Sequence, residues 1–252
     1  MPRILVTNDD GYFSEGIQAL TAALQALGDV TVVAPHTEAS AVSHALTLRR
    51  PLRLERLSEH VYSVDGTPTD CVNIAIDEVL DGRPDLVVSG INQGLNIGDD
   101  VTYSGTVAGA LEGALLGYQA VAVSLAVTRQ KWDFGPAAAI AAALCAQLLE
   151  HPLPYRTFLN VNVPQGRPAG IRVTVQAKRN HVTKVDQRVD PRQRPYFWIE
   201  EAQDDWERDD RSDHAAIRDG YVSVTPLHPD LTNHAALSSV AALAQQLAAG
   251  VK

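Results

Sequence analysis

The sequence predicts a doubly wound α/β core built on a mostly parallel sheet. Strand and helix signals alternate from the first residues, the strands are continuously apolar, and a first strand, helix and strand are complete by Pro35. Strands that are apolar along their whole length belong to parallel sheets covered by helices on both faces. In the first unit, Ile4 to Val6 read as strand. A helix follows with Ile17, Leu20, Leu24 and Leu27 at spacings of three and four, expected to end against Gly28, and the strand Val30 to Pro35 closes the unit. The rhythm then continues with a helix at "CVNIAIDEVL", the strand "DLVVSG", a small-residue helix from Gly105 to Gly117 and the strand "AVAVSL". The Ala-rich helix "PAAAIAAALCAQLLE" and the strand "TFLNVNV" complete it.

Two segments depart from this pattern. From Leu46 to Val64, leucines alternate roughly with Thr47, Arg49, Arg53 and Glu55, which suggests extended arms with one wet face, and Pro51 favours an edge position. From Lys178 to Asp213 runs a long polar stretch of mixed charge with an aromatic cluster at Tyr196, Phe197 and Trp198, an excursion from the core toward a site or a partner subunit. The strand "GYVSVTP" and an amphipathic helix, His234 to Ala249, follow, with Leu237, Val240, Leu243 and Leu247 on one stripe. Residues 1–177 are therefore expected to form the core, including an extended arm near 46–64. Residues 178–252 are expected to add an excursion, strand and helix for oligomerisation within the same structural unit.

Composition narrows the function classes. The 252 residues are 45% apolar and 20% charged, ordinary for a globular chain with a sizeable core. The net charge of -9, from 21 Lys and Arg against 30 Asp and Glu, repels polyanions and argues against nucleic-acid polymers as partners. No apolar run approaches the roughly 20 residues needed to span a bilayer, and the N-terminus begins with a strand rather than a signal segment, so no membrane partner and a cytoplasmic location are expected. Cys71 and Cys145, both in apolar helical patterns, read as buried thiols.

Polar loops follow three of the expected strands, at the edge where open α/β sheets bind ligands. They are "NDDG" with Asp9 and Asp10, "HTEASAVSHALT", and "SGINQGLNIGDDVTYSGT". Two adjacent carboxylates repel and hold their protons more tightly unless something compensates them. Together with neighbouring hydroxyl and amide oxygens they suit a hard divalent cation such as Mg²⁺ or Mn²⁺. The plain alternative is a strand-to-helix turn with a capping Asp and Gly11 at positive φ. In the third loop, Gly90, Gly94, Gly98 and Gly105 leave backbone amides open to close approach, and Ser104, Gly105 and Thr106 stand at a helix start, a geometry that cradles phosphate. Its plain alternative is a flexible loop capped by Ser104. Neither the P-loop nor the dinucleotide fingerprint is present.

Taken in order, "ILVTNDDGY", "VVAPHTEASAVSHALTL", "VDGTPTDCV", "VVSGINQGLNIGDDVTYSGTVAGALEGA", "LNVNVP" and "GYVSVTPL" resemble the SurE family of metal-dependent survival-protein nucleotidases over nearly the whole chain. The resemblance implies a Rossmann-like core with extended arms and a C-terminal extension, and a homodimer or homotetramer built through exchanged arms. It also implies hydrolysis of nucleoside 5′- and 3′-monophosphates with one divalent metal ion, Mg²⁺ or Mn²⁺, per subunit. Carried over by motif, Asp9, Asp10, Ser40 and Asn92 would be metal ligands, and Asn96, Ser104, Gly105 and Thr106 would hold phosphate. The chain departs from the family pattern at His36, where Asp is common, at Ala41, where Gly often follows the serine, and at "RSD", Arg211 to Asp213, in place of "DTD".

On this reading Asp9 and Asp10 are also the catalytic pair of a metal-assisted phosphomonoester hydrolysis, by water attack or through a phospho-aspartate. His44 is read as a surface or packing residue rather than an acid, and Asp99 and Asp100 as a solvated or supporting loop. The aromatic trio either stacks on a base or packs an inter-subunit arm. Two readings of another class stand beside this one. A receiver module lacks its central-strand Asp here, since "DLVVSG" ends in Ser89, and a metal- and nucleotide-binding sensor or assembly protein without turnover stays as the alternative.

Overall fold

Nine strands form one sheet in the order β3-β4-β2-β1-β5-β6-β7-β11-β8. In this computed structural model, which describes residues 1–127, 132–179, 183–201 and 206–250, the elements are β1 (Arg3–Thr7), α1 (Glu15–Leu24), β2 (Asp29–Pro35), β3 (Leu54–Arg56), β4 (Val61–Val64), α2 (Pro68–Ile74), β5 (Leu86–Gln93), α3 (Gly105–Leu115) and β6 (Gln119–Leu125). They continue with α4 (Gly135–Glu150), β7 (Phe158–Val163), β8 (Ile171–Val173), β9 (Thr183–Val189), β10 (Pro195–Glu201), α5 (Asp213–Arg218), β11 (Val222–Leu227) and α6 (Leu237–Gly250). Strands β2, β1, β5, β6 and β7 are mutually parallel. Antiparallel pairing enters only toward the edges, where β3 meets β4 and β11 meets β7. The doubly wound expectation holds.

Alternate residues of each strand serve the two faces. Ile4, Val6, Val30, Val32, Leu86 and Val88 pack under α1 and α4, whereas Leu5, Val33, Val87, Ala120 and Ala122 pack under α2 and α3. The chain winds outward from β1 to β2 and β4, then returns to place β5 on the other side of β1. That reversal is a topological switch point, and it leaves a crevice beyond the C-terminal ends of β1 and β5.

Helix α3 lies unusually close to the sheet because its inner face is glycine and alanine. A Cβ on Gly113 would stand 2.8 Å from the Val87 Cβ, and one on Gly109 would stand 2.9 Å from the Ser89 Oγ. Each glycine costs the helix about 1 kcal/mol in propensity against alanine. Close packing outweighs that cost.

Several boundaries differ from the sequence reading. α1 stops at Leu24 with Gln25 as its C-cap, and Gly28 is needed where the chain crosses the Pro2 backbone. The helix read at "CVNIAIDEVL" splits into α2 and a π-helical turn over Ala75–Val79. The arm near 46–64 is strand only in β3 and β4, a short hairpin on the sheet edge. Residues 36–53 hold no helix or strand, and Leu46 and Leu48 are exposed. In the C-terminal stretch, β9 and β10 pair only with each other, and Tyr196, Phe197, Trp198 and Ile199 face solvent. The stripe Leu237, Val240, Leu243 and Leu247 of α6 is also exposed. Residues 180–182, 202–205 and 251–252 of the expected extension lie outside the described residues. Both cysteines are buried and unpaired, and among the described residues no helix is long and apolar enough to cross a membrane.

Gly113→Ala tests the tight approach of α3. Helix propensity alone would stabilise it, but the clash with Val87 should prevail and lower stability by about 1–3 kcal/mol in urea unfolding.

Candidate active site

The loop after β1 is built by short-range bonds. The Asn8 side-chain amide donates to the Gly11 carbonyl at 2.9 Å and to the Ser14 Oγ at 2.8 Å, and the Ser14 Oγ in turn caps α1. Gly11 takes the positive φ of 95° that this turn requires. The plain turn reading is thus realised by Asn8, Gly11 and Ser14, which frees Asp9 and Asp10 from capping duty.

Asp9 is buried at the N-terminus of α3. Its Oδ1 accepts a hydrogen bond from the Thr106 hydroxyl, and its carboxylate is also met by the Thr106 backbone amide. Gly105 is required here, because a Cβ would lie 2.8 Å from the Asp9 Cβ. Burial still pushes the Asp9 carboxyl above its ordinary value, against those hydrogen bonds. Asp10 is pushed up to about 6, first by burial and then by the Asp9 charge, with the Gln93 amide at the end of β5 opposing. The Oδ2 of Asp10 and the Oδ1 of Asn8 are buried without a hydrogen-bond partner.

Ser40 sits in the loop after β2, exposed, with its Oγ donating to the Glu38 Oε1 at 2.6 Å. The Ala39 amide donates to the Asp9 carbonyl at 2.8 Å, which ties this loop to the acidic pair. Glu38 adds a negative charge that both Asp9 and Asp10 feel. Asn92, at the end of β5, donates to the Gly94 carbonyl at 2.9 Å. Ser104 caps α3 by accepting from the Val107 amide at 3.1 Å, so the capping reading holds for that side chain.

Asn96 is buried and doubly clamped. Its amide donates to the Asn162 Oδ1 at 2.8 Å, and its carbonyl accepts from the Asn160 and Asn162 side chains at 2.8 and 3.0 Å. Its own Nδ2 donates to the Ser124 Oγ at 2.8 Å. The sequence reading assigned no role to Asn160 or Asn162. Their signal was visible as two asparagines at alternate positions of a strand otherwise fully apolar, since a polar group buried there must find a partner. Asp213, to which local sequence pattern assigns no role, is fully buried. It accepts from the amides of Gly98, Ala177 and His214 at 2.9, 3.0 and 2.7 Å, which fastens the glycine loop to the C-terminal extension. Asp100 forms a two-pronged pair with Arg179 at 3.2 Å, a supporting role in line with expectation.

The site thus joins a buried Asp9, a half-buried Asp10, the Thr106 hydroxyl and the N-terminus of α3 at a switch point. Among the described residues no group of three His, Cys, Asp and Glu side chains is clustered for a metal. The donor set is two carboxylates plus neutral oxygens, and the unpartnered Asp10 Oδ2 fits a hard divalent cation. Fold and site together define an α/β protein with an acidic crevice at the switch point of its sheet. The family model described as survival protein SurE matches residues 4–183, and the chain belongs to that family. It is 53% identical over 240 residues to a protein of Pelobacter propionicus named 5′-nucleotidase SurE, covering 94% of this chain and 97% of that one. A Myxococcus xanthus protein of the same name is 51% identical, with 93% and 90% covered. The crystal structure of the SurE protein from Aquifex aeolicus superposes with a TM-score of 0.86 at 44% identity, covering 96% of this chain and 99% of that one.

The acidic pair generates a pH prediction. Asp10 binds its proton more tightly in the folded, metal-free protein than in the unfolded chain, so its contribution to stability is full below 3.8 and is lost as pH rises through about 6. In EDTA, thermal stability should fall across that window, and Asp10→Asn should flatten the fall. An unchanged profile in the variant would show that Asp10 is not the group under strain.

Proposed function

We propose that the chain is a divalent-metal-dependent phosphomonoesterase, a 5′/3′-nucleotidase that hydrolyses nucleoside monophosphates to nucleoside and phosphate. The observation that carries this reading is the pair at the switch point, Asp9 buried against the N-terminus of α3 and Asp10 half-buried beside it, with one carboxylate oxygen unpartnered. Family membership and the names of the relatives support the same activity.

Asp9, Asp10, Ser40 and Asn92 would hold one Mg²⁺ or Mn²⁺, which when bound neutralises phosphate oxygens and makes a nearby water more acidic. Thr106 fixes the Asp9 carboxylate in one orientation, so Asp9 serves as a rigid ligand. One carboxylate of the pair would also accept the proton of an attacking water. The Ser104 oxygen accepts from Val107, which leaves its proton for a phosphate oxygen. Asn96 spends one side-chain N–H on Ser124 and has a second to offer. Gly105 contributes a backbone amide at the positive end of α3, where charge spreading over the equatorial oxygens is stabilised.

Assembly belongs to the same reading. The exposed apolar residues of β9, β10 and α6 need a partner surface, and residues 178–252 would supply it in a homodimer or homotetramer.

Release of inorganic phosphate from AMP should depend on Mn²⁺ or Mg²⁺ and vanish in EDTA. Asp9→Asn should lower kcat/KM by about 10²–10³ while the far-ultraviolet circular dichroism stays native. Metal-independent release, or full activity in the variant, would defeat the assignment.

By light scattering at micromolar concentration the chain should be a dimer or larger, and truncation after Thr232 should dissociate or aggregate it. A monodisperse, active monomer would rule out the assembly.

A further inference from the structure

Glu112 is out of place in α3, "GTVAGALEGAL", where every other residue is Gly, Ala, Leu, Val or Thr. Its side chain is 11% exposed, and a buried carboxylate is costly unless paired and hydrogen-bonded. Both oxygens are used. The Oε1 accepts from the Asn73 Nδ2 of α2 at 2.7 Å, and the Oε2 is 2.6 Å from the His44 Nε2. Burial pushes the Glu112 carboxyl up, but the bonds from His44 and Asn73 prevail and leave it below its ordinary value. An ionised carboxylate only accepts, so the His44 Nε2 carries a proton and donates it.

His44 comes from the long loop of residues 36–53, which has no helix or strand, although structureless loops beyond roughly 12–15 residues are uncommon in compact domains. Ala41 and Ser43 sit at φ of 55° and 56°, a left-handed conformation that L residues seldom adopt. A loop bent this way needs external anchors. Beyond the Ala39 bond to Asp9, the Ser43 amide donates to the Tyr103 carbonyl at 2.9 Å and its Oγ to the Thr102 carbonyl at 2.7 Å. On the far side, the Thr47 amide donates to the Asp70 Oδ1 at 2.8 Å. His44 is the one side chain among these anchors that reaches the body of α3. Glu112 lies eight residues beyond Ser104, about 12 Å along the helix at 1.5 Å per residue. The imidazole is therefore drawn along the flank of α3, away from the N-terminus where phosphate would sit.

We propose that His44 is a positioning residue, whose bond to Glu112 clamps the 36–53 loop onto α3 and so holds Ser40 beside the acidic pair. The clamp joins the two halves of the site, the Ser40 loop and the helix whose N-terminus is Ser104–Gly105–Thr106. It rests on the cation reading of Asp9, Asp10 and Ser40 given above.

The test compares His44→Ala, His44→Gln and Ser40→Ala with the full-length protein. The readouts are Mn²⁺ affinity by titration calorimetry, proteolytic cleavage within residues 36–53, and thermal unfolding in EDTA. His44→Ala should weaken Mn²⁺ binding about tenfold, as loss of a residue supporting a metal ligand does, and should speed cleavage of the loop, while the EDTA unfolding midpoint falls because one Glu112 oxygen loses its partner. His44→Gln, which keeps a donor toward Glu112, should recover most of the affinity. Wild-type affinity and cleavage in His44→Ala, with Ser40→Ala weakened, would overturn the clamp alone. An affinity loss with cleavage within residues 36–53 left at the wild-type rate would reduce His44 to a packing role and also overturn it. Undiminished affinity in Ser40→Ala would overturn the cation reading on which the clamp depends.

Discussion

Burying the Asp9 carboxylate at the end of β1 is the constraint around which the neighbouring sequence is arranged. A carboxylate that loses its water needs donors, and here Thr106 supplies both its hydroxyl and its amide from the first turn of α3. For that turn to come close enough, position 105 must lack a Cβ. For α3 to lie along the sheet at that depth, Gly109 and Gly113 must lack one too. One buried charge thus accounts for Gly105, Gly109 and Gly113, which α3 carries at a cost in helix propensity.

The same face of the sheet changes character toward the C-terminal ends of its strands. Leu5, Val87, Ala120, Ala122 and Phe158 give way, two residues further on, to Thr7, Ser89, Ser124 and Asn160, with Asn162 beyond. All are buried. Within this polar band Asn160 and Asn162 hold the Asn96 backbone, and Ser124 accepts from its side chain. The Asn96 peptide is thus held by side-chain amides acting as a substitute ladder. Asp213 does the same for Gly98 from the opposite side.

Periodicity made the parallel sheet and its covering helices legible, because strands buried on both faces cannot alternate and the helices kept their apolar stripe. Asp9 and Asp10 were legible because two adjacent acids after a buried strand call for a compensating charge. The assignments of Ser40, Asn92 and Asn96 rested on motif likeness, and none of the three points its role out by local pattern. Asn96 is held by residues 28 to 66 positions away, and Asp213 reaches across 115 positions to Gly98. Contacts of that range leave no periodic trace. Glu112 did leave one, a charge in a helix otherwise free of charge, and its meaning emerged only with His44 beside it. The helix end misplaced at Gly28 has a similar cause, since that glycine answers a tertiary crossing rather than a cap.

Charge also dictates the order in which such a site can assemble. The three loops that meet there, Asn8 to Ser14, His36 to Leu48 and Gly94 to Ser104, contain no Lys or Arg but contain Asp9, Asp10, Glu38, Asp99 and Asp100. Arg179 answers Asp100, and His44 is committed to Glu112. A phosphate dianion approaching the remaining carboxylates would be repelled, and the partial charge of one helix N-terminus, about half a unit, does not offset them. On the proposed reading the cation therefore has to precede the phosphate. Held by Asp9 and Asp10, it would lower their raised proton affinities and make the negative crevice able to hold an anion. The helix dipole, the Ser104 hydroxyl and the Gly105 amide would then need only to orient a phosphate already attracted.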